Sequence, residues 1–134
     1  MIANPYQQYQ EANIESASQG KLLLMLYDGA IRFLVQSQLA LEQQRWSDAH
    51  NFNLRGQDII TELIVSLNYD AGDIAKNLYQ LYDYMNWRLV NANIKRDVEG
   101  IKDVVKHLRT LREAWVEAVK NTAGQTYGSS AGAA

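Results

Sequence analysis

Cysteine is absent from the 134 residues, which excludes a disulfide scaffold, a thiolate zinc site and thiol catalysis. Proline occurs once and glycine eight times. Sandwiches and small barrels turn every few residues and need more punctuation than that. An excess of one charge is lacking too, since 13 basic and 15 acidic residues leave a net charge of −2. That balance provides no general attraction to nucleic acid or to an anionic membrane. No stretch approaches the roughly 20 apolar residues needed to cross a bilayer. The opening Met-Ile-Ala-Asn-Pro-Tyr-Gln-Gln-Tyr has neither the charged start nor the apolar centre of a secretion signal. The expectation is a cytoplasmic protein with no membrane insertion and no nucleic-acid partner.

What is present is an apolar fraction of 47% and a charged fraction of 21%, too apolar for disorder and suited to one core in one domain. Period and punctuation predict four helices. The first runs from Ser18 to Gln43, with Leu23, Leu26, Tyr27, Ala30, Leu34, Ser37 and Leu41 recurring at three- and four-residue steps. Ser16 with Gln19 fits a capping box at its start, and Ser18 competes for that role. The second is predicted to begin at Ser47 as N-cap and to bury Phe52, Gly56, Ile59, Ile60, Leu63 and Leu67. Asn68 to Gly72 reads as a turn. The third, Asp73 to Arg96, has Ile74, Leu78, Leu81, Tyr82, Met85 and Leu89 on its inner face. Asp97 can cap the fourth, whose stripe is Ile101, Val104, Val105, Leu108, Leu111, Trp115 and Val119. Short connections make successive helices antiparallel neighbours, so the predicted fold is all-α, an up-down-up-down four-helix bundle. Residues 1–120 are read as one domain, with 1–15 as an N-terminal docking segment. Residues 121–134, rich in Gly, Ser and Ala, read as a flexible tail.

Chemistry is hard to find along this chain. A di-metal bundle needs paired Glu-x-x-His motifs, and neither His50 nor His107 has a glutamate three residues earlier. No metal is expected, and no cofactor, because no phosphate-binding glycine loop or dinucleotide fingerprint occurs. The rival is a histidine-phosphotransfer bundle using His50, whose neighbourhood echoes the histidine, basic residue and glycine of that motif. Here, however, Arg55 and Gly56 stand five and six positions on instead of three and four. That spacing turns the arginine about 140° away from His50 on a helical wheel. The expectation is a protein that is not an enzyme.

The feature that calls for explanation is apolar surface beyond one stripe per helix. On a wheel centred on Leu78, Tyr79, Trp87, Val90 and Ile94 lie roughly 100° to 180° from the core direction. Trp87, Val90 and Ile94 follow three- and four-residue steps and form a stripe of their own. The first helix likewise carries Leu24, Ile31, Val35 and Leu39 beside its core stripe, whereas the remainder of the fourth is charged. This surplus suggests a groove for a partner. The competing reading is that the opening segment or a broad core simply buries it. Ile2, Tyr6 and Tyr9 form a one-sided stripe on a piece too short to be a stable helix alone. That piece could dock on the spare surface and be displaced by a partner. A third reading is a structural homodimer through the spare stripe.

Several runs in order, Asn4 to Tyr9, Leu22 to Ala30, Ile74 to Met85, Arg88-Leu89 and Ala92-Asn93, resemble the flagellar secretion chaperone FliS family over residues 2 to about 120. The resemblance implies an antiparallel bundle preceded by a short N-terminal helix. It also implies a chaperone that holds the disordered C-terminal segment of flagellin in the cytosol. Such a chaperone prevents premature filament assembly and helps deliver flagellin to the type III export gate, with other flagellar regulators as further partners. Tyr6 and Tyr9 match family positions implicated in client binding. The sequence departs from the family pattern at Gln19 or Gly20, where proline is usual, and at Ala71-Gly72-Asp73, which replaces Gly-Gly-Glu. Trp87 stands where the family commonly has arginine and adds apolar surface. The expected partner-binding residues are therefore Tyr6, Tyr9, Leu24, Ile31, Tyr79, Trp87, Val90 and Ile94.

Overall fold

The structure, a computed structural model, describes the backbone of residues 5–125 and the side chains of residues 19–118 and of Lys120. Four helices follow one another: α1 (Pro5–Glu42), α2 (Trp46–Val65), α3 (Asp73–Lys95) and α4 (Val98–Gln125), with a 3₁₀ turn at Tyr69–Ala71 between α2 and α3. Each helix packs on its sequence neighbours, and α1 also packs on α4, which closes the ring. This is the antiparallel four-helix bundle expected from the short connections.

The helix ends follow local chemistry, not always where it was expected. Pro5 opens α1, a position where its missing N–H costs nothing. No further proline follows, and the single Gly20 costs only about 1 kcal/mol. The helix therefore runs through Ser16 and Ser18, which are interior positions and not caps, and residues 5–17 are not a separate short helix. Ser47 is not the N-cap of α2 either. Gln44 adopts φ 60° and the Arg45 amide bonds back to the Ala40 carbonyl at 2.8 Å. This tight reversal moves the N-cap two residues earlier, to Arg45, whose guanidinium lies 2.6 Å from Asp48. The expected turn at Asn68–Gly72 is present, with the Asp70 amide donating to Asn68 Oδ1 at 3.1 Å. Gly72 takes φ 76°, a region open to glycine at no steric cost. Asp97 caps α4 as its position suggested, accepting from the Glu99 amide at 3.0 Å. α4 continues to Gln125, and residues 126–134 lie outside the described residues.

The core is built from the inner stripes. Tyr27, Leu34, Ile60, Leu63, Tyr82, Met85, Leu89, Ile101, Val104 and Leu108 are all essentially inaccessible. Among the described residues, two polar side chains, Ser37 and Asn53, are buried with them, and both are satisfied. Ser37 donates to the Ala49 carbonyl at 2.7 Å. Asn53 donates to the Leu89 carbonyl at 3.1 Å and accepts from Gln57 at 2.7 Å, so it ties α2 to α3. Gly56 of α2 faces Leu34 of α1, with no room for a side chain between them. Among the described residues, two expected core residues are not in the core, and one of them, Phe52, is half-buried and stacks on Phe33 instead, ring centroids 6.4 Å apart. The other, Ile74, is 67% exposed, because the first turn of α3 borders an open cleft at the end of the bundle. Ala75, buried one residue on, takes the inward position instead.

Candidate functional site

The inner face of α3 is set by Ala75, Tyr82, Met85, Leu89 and Ala92, all buried. Their three- and four-residue steps point positions 87, 90 and 94 the opposite way. Trp87 is 60% exposed, Ile94 75%, and Val90 and Tyr79 42% each. These four expected site residues share one outer face of a single rigid helix. Tyr84, which the sequence reading passed over, joins them: its ring lies 6.2 Å from that of Trp87. The signal was available, since Tyr84 stands three residues before Trp87.

Leu24 and Ile31 are placed elsewhere. Both lie on α1, which is not a sequence neighbour of α3 in the ring. Both are half-buried, and Ile31 packs against the core with Val35. The second stripe of α1 is thus largely covered by the bundle, and Leu39 is its exposed remnant. The structure does not bring Leu24 and Ile31 together with the α3 stripe. Tyr6 and Tyr9 fall within the backbone of α1, and their side chains lie outside the described residues.

A polar seam borders the stripe on the α4 side. Tyr84 donates its hydroxyl to Asp103 Oδ2 at 2.7 Å, and Arg88 Nε lies 3.5 Å from the same oxygen. His107 Nε2 is 3.6 Å from Asp103 Oδ1, and its ring meets Tyr84 edge-on at 5.9 Å. The Tyr84 hydrogen bond, with the nearby His107 and Arg88, holds the Asp103 carboxyl below the usual carboxylate range against the opposing effect of burial. The same hydrogen bond raises the Tyr84 phenol. The seam is an anchored edge of charge and hydrogen bonds beside an open apolar strip.

Two clefts occupy the ends of the bundle. One, of about 180 Å³, is apolar and bordered by Leu23, Leu67, Ile74, Leu78, Tyr82 and Trp115. Beneath it the Tyr27 and Tyr82 hydroxyls are hydrogen-bonded to each other, and Trp115 Nε1 donates to Tyr27 at 2.9 Å. The other is polar and includes His50, Asn93 and Arg96, the last with its guanidinium 4.2 Å above the Trp46 ring. Arg55 does not accompany His50 there. It sits over Phe33 on the α1 side of α2, 5.5 Å from the ring centroid, as the wheel predicted. Among the described residues, no three His, Asp or Glu side chains converge to hold a metal, and no helix is long and apolar enough to cross a membrane. The arrangement provides what binding an amphipathic segment requires, a rigid apolar strip with polar borders.

Known proteins are similar to this chain in sequence and in fold. The family described as Flagellar protein FliS matches residues 2–122. Among individual relatives, the flagellar secretion chaperone FliS of Bacillus subtilis (strain 168) is 34% identical over 128 residues, 96% of each chain. That of Salmonella typhimurium is 38% identical over 107 residues, covering 78% of this chain and 79% of the relative. A crystal structure described as a flagellar chaperone from bacteria superposes with a TM-score of 0.77 at 23% identity, covering 87% of this chain and 95% of that one. The structural likeness shows the fold, and the sequence matches carry the assignment: the chain belongs to the FliS family of flagellar secretion chaperones.

Proposed function

We propose that this chain binds the disordered C-terminal segment of flagellin in the cytoplasm, keeps it from polymerising prematurely and helps deliver it to the flagellar type III export apparatus. The observation that carries this reading is the row of Trp87, Val90 and Ile94, left exposed at helical spacing on one face of α3. An amphipathic client segment laid along α3 would cover that row and fold as it docks. Ordering the client costs free energy, so a long wrapped interface suits the task better than one deep pocket. No nucleotide is required, because release follows from exchange with the next partner, such as an export-gate protein. Tyr6 and Tyr9 belong to an opening segment that is continuous with α1 in this structure and would have to part from that helix to dock on apolar surface of the bundle before yielding to a partner.

Co-purification of the full chain with a peptide from the C-terminus of the host flagellin tests the proposal, and failure to associate refutes it. Deleting residues 1–15 is expected to change client affinity or the exposure of the apolar strip. An unchanged titration would remove the opening segment from the mechanism. Incubation with a phosphorylated receiver domain should leave no acid-labile label on His50.

A further inference from the structure

We propose that the polar cleft at the C-terminal end of α3 holds the terminal carboxylate of the client segment, so that the chain recognises where the client ends as well as its apolar face. The inference rests on the reading that the outer face of α3 receives the client. The cleft, of about 270 Å³, lies among Leu41, Trp46, His50, Asn93 and Arg96. Asn93 stands next to Ile94, the last member of the exposed row. Arg96 follows about 3 Å further along the helix axis, at a rise of about 1.5 Å per residue. A segment laid along Trp87, Val90 and Ile94 therefore arrives at the rim of this cleft.

Arg96 is held in place to receive an anion. Its backbone takes the left-handed conformation, φ 53° and ψ 46°, with its amide on the Ala92 carbonyl. Its guanidinium rests 4.2 Å above the Trp46 ring, so much of the ordering cost of a long side chain is already met before a ligand arrives. Among the described residues, no carboxylate lies within ion-pair distance of Arg96. The acidic neighbours are engaged elsewhere, Asp97 by Arg88 at 3.4 Å and Asp48 by Arg45 at 2.6 Å. A carboxylate takes a charge-assisted, bidentate bond from a guanidinium, which the backbone carbonyl of a mid-segment residue does not. His50 and Asn93 add N–H donors to the cleft wall, while Leu41 and Trp46 offer apolar contact. A chain terminus brings a carboxylate and an apolar side chain on one residue, the pairing this cleft accommodates. The client would then run parallel to α3, its last residue at Arg96.

Isothermal titration of the full chain compares a flagellin C-terminal peptide bearing its free carboxylate with the same peptide amidated. Amidation is expected to raise Kd roughly tenfold, the scale of one hydrogen bond to a charged group. In Arg96→Asn, whose asparagine accepts the left-handed backbone, the free-acid peptide should weaken while the amidated one keeps its affinity. The gap between the two peptides should then close to less than about twofold, as a double-mutant cycle requires of a direct contact. Arg96→Lys keeps the charge without the planar fork and should close the gap part-way. Circular dichroism of both surface variants is expected to match the wild type. Equal affinity of the two peptides for the wild-type chain overturns the proposal and leaves the client reading intact. A gap undiminished in either variant places the carboxylate elsewhere and overturns it too. Failure of both peptides to bind refutes the client reading, and this inference with it.

Discussion

Replacing Ile94 by aspartate separates docking from folding more cleanly than any other change on α3. The side chain is 75% exposed, so little internal packing is lost. The main cost to the free protein is an acidic group near the negative end of α3, under about 1 kcal/mol. Docking is affected differently. Full burial of an isoleucine contributes about 1.5–3 kcal/mol, and three-quarters of this one remains for a client to cover, which leaves about 1–2 kcal/mol. The aspartate must in addition be stripped of water without a partner, at a further cost of about 1–3 kcal/mol by the scale of protein mutations. The sum is about 2–5 kcal/mol, a rise in Kd of roughly thirtyfold or more. Isothermal titration with a flagellin C-terminal peptide reads the affinity, while circular dichroism and the urea midpoint read the fold. Ile94→Asn should fall between wild type and aspartate, since it removes the apolar surface without adding charge. Undiminished affinity in Ile94→Asp would show that the strip is not the groove. A collapsed urea midpoint would show that Ile94 supports the core after all.

The buried phenols of Tyr27 and Tyr82 predict sensitivity to alkali. Burial is the largest of the causes that push both above their ordinary 10.0. The folded state therefore keeps protons that the unfolded chain sheds, and stability is full below pH 10 and falls as pH rises beyond it. The expected slope reaches about 1.4 kcal/mol per pH unit for each tyrosine, measured as urea midpoints at increasing pH. Tyr82→Phe should halve that slope and cost about 1–2 kcal/mol at neutral pH, because the Tyr27 hydroxyl loses a partner. An unchanged alkaline slope would refute the account. At the α1–α2 contact, a Cβ on Gly56 would lie within 2.7 Å of Leu34 Cγ, and Leu34 is fully buried. Gly56→Val should therefore lower stability by about 2 kcal/mol with an unchanged denaturant slope, and a neutral result would mean that Leu34 has room to move.

Much of this was readable along the chain. Helical period places Tyr27, Leu34, Ile60, Leu63, Met85 and Leu108 inward and Trp87, Val90 and Ile94 outward, because a rigid helix repeats its faces whatever surrounds it. Asp97 and Gly72 marked ends through local capping and turn chemistry, which need no distant partner. The misreadings of burial share one cause. Ile74 has the inward phase of its helix, yet among the described residues no neighbour reaches across the open end of the bundle to cover it. Ile31 and Val35 carry the same apolar signal as Val90, yet the bundle covers them. Asn53 reads as a polar residue for the surface until the Leu89 carbonyl and Gln57 are seen to satisfy it.

The order of helices, their inner faces and the existence of a second apolar row on α3 are thus properties of the linear chain, since they depend on contacts within a few residues. The freedom of that row is a different matter. So are the burial of the matching row on α1 and the meeting of Tyr27 with Tyr82 and Trp115, 55 and 88 residues away. These depend on which helix lies against which face and how far along it reaches, and that is settled by packing among all four helices at once.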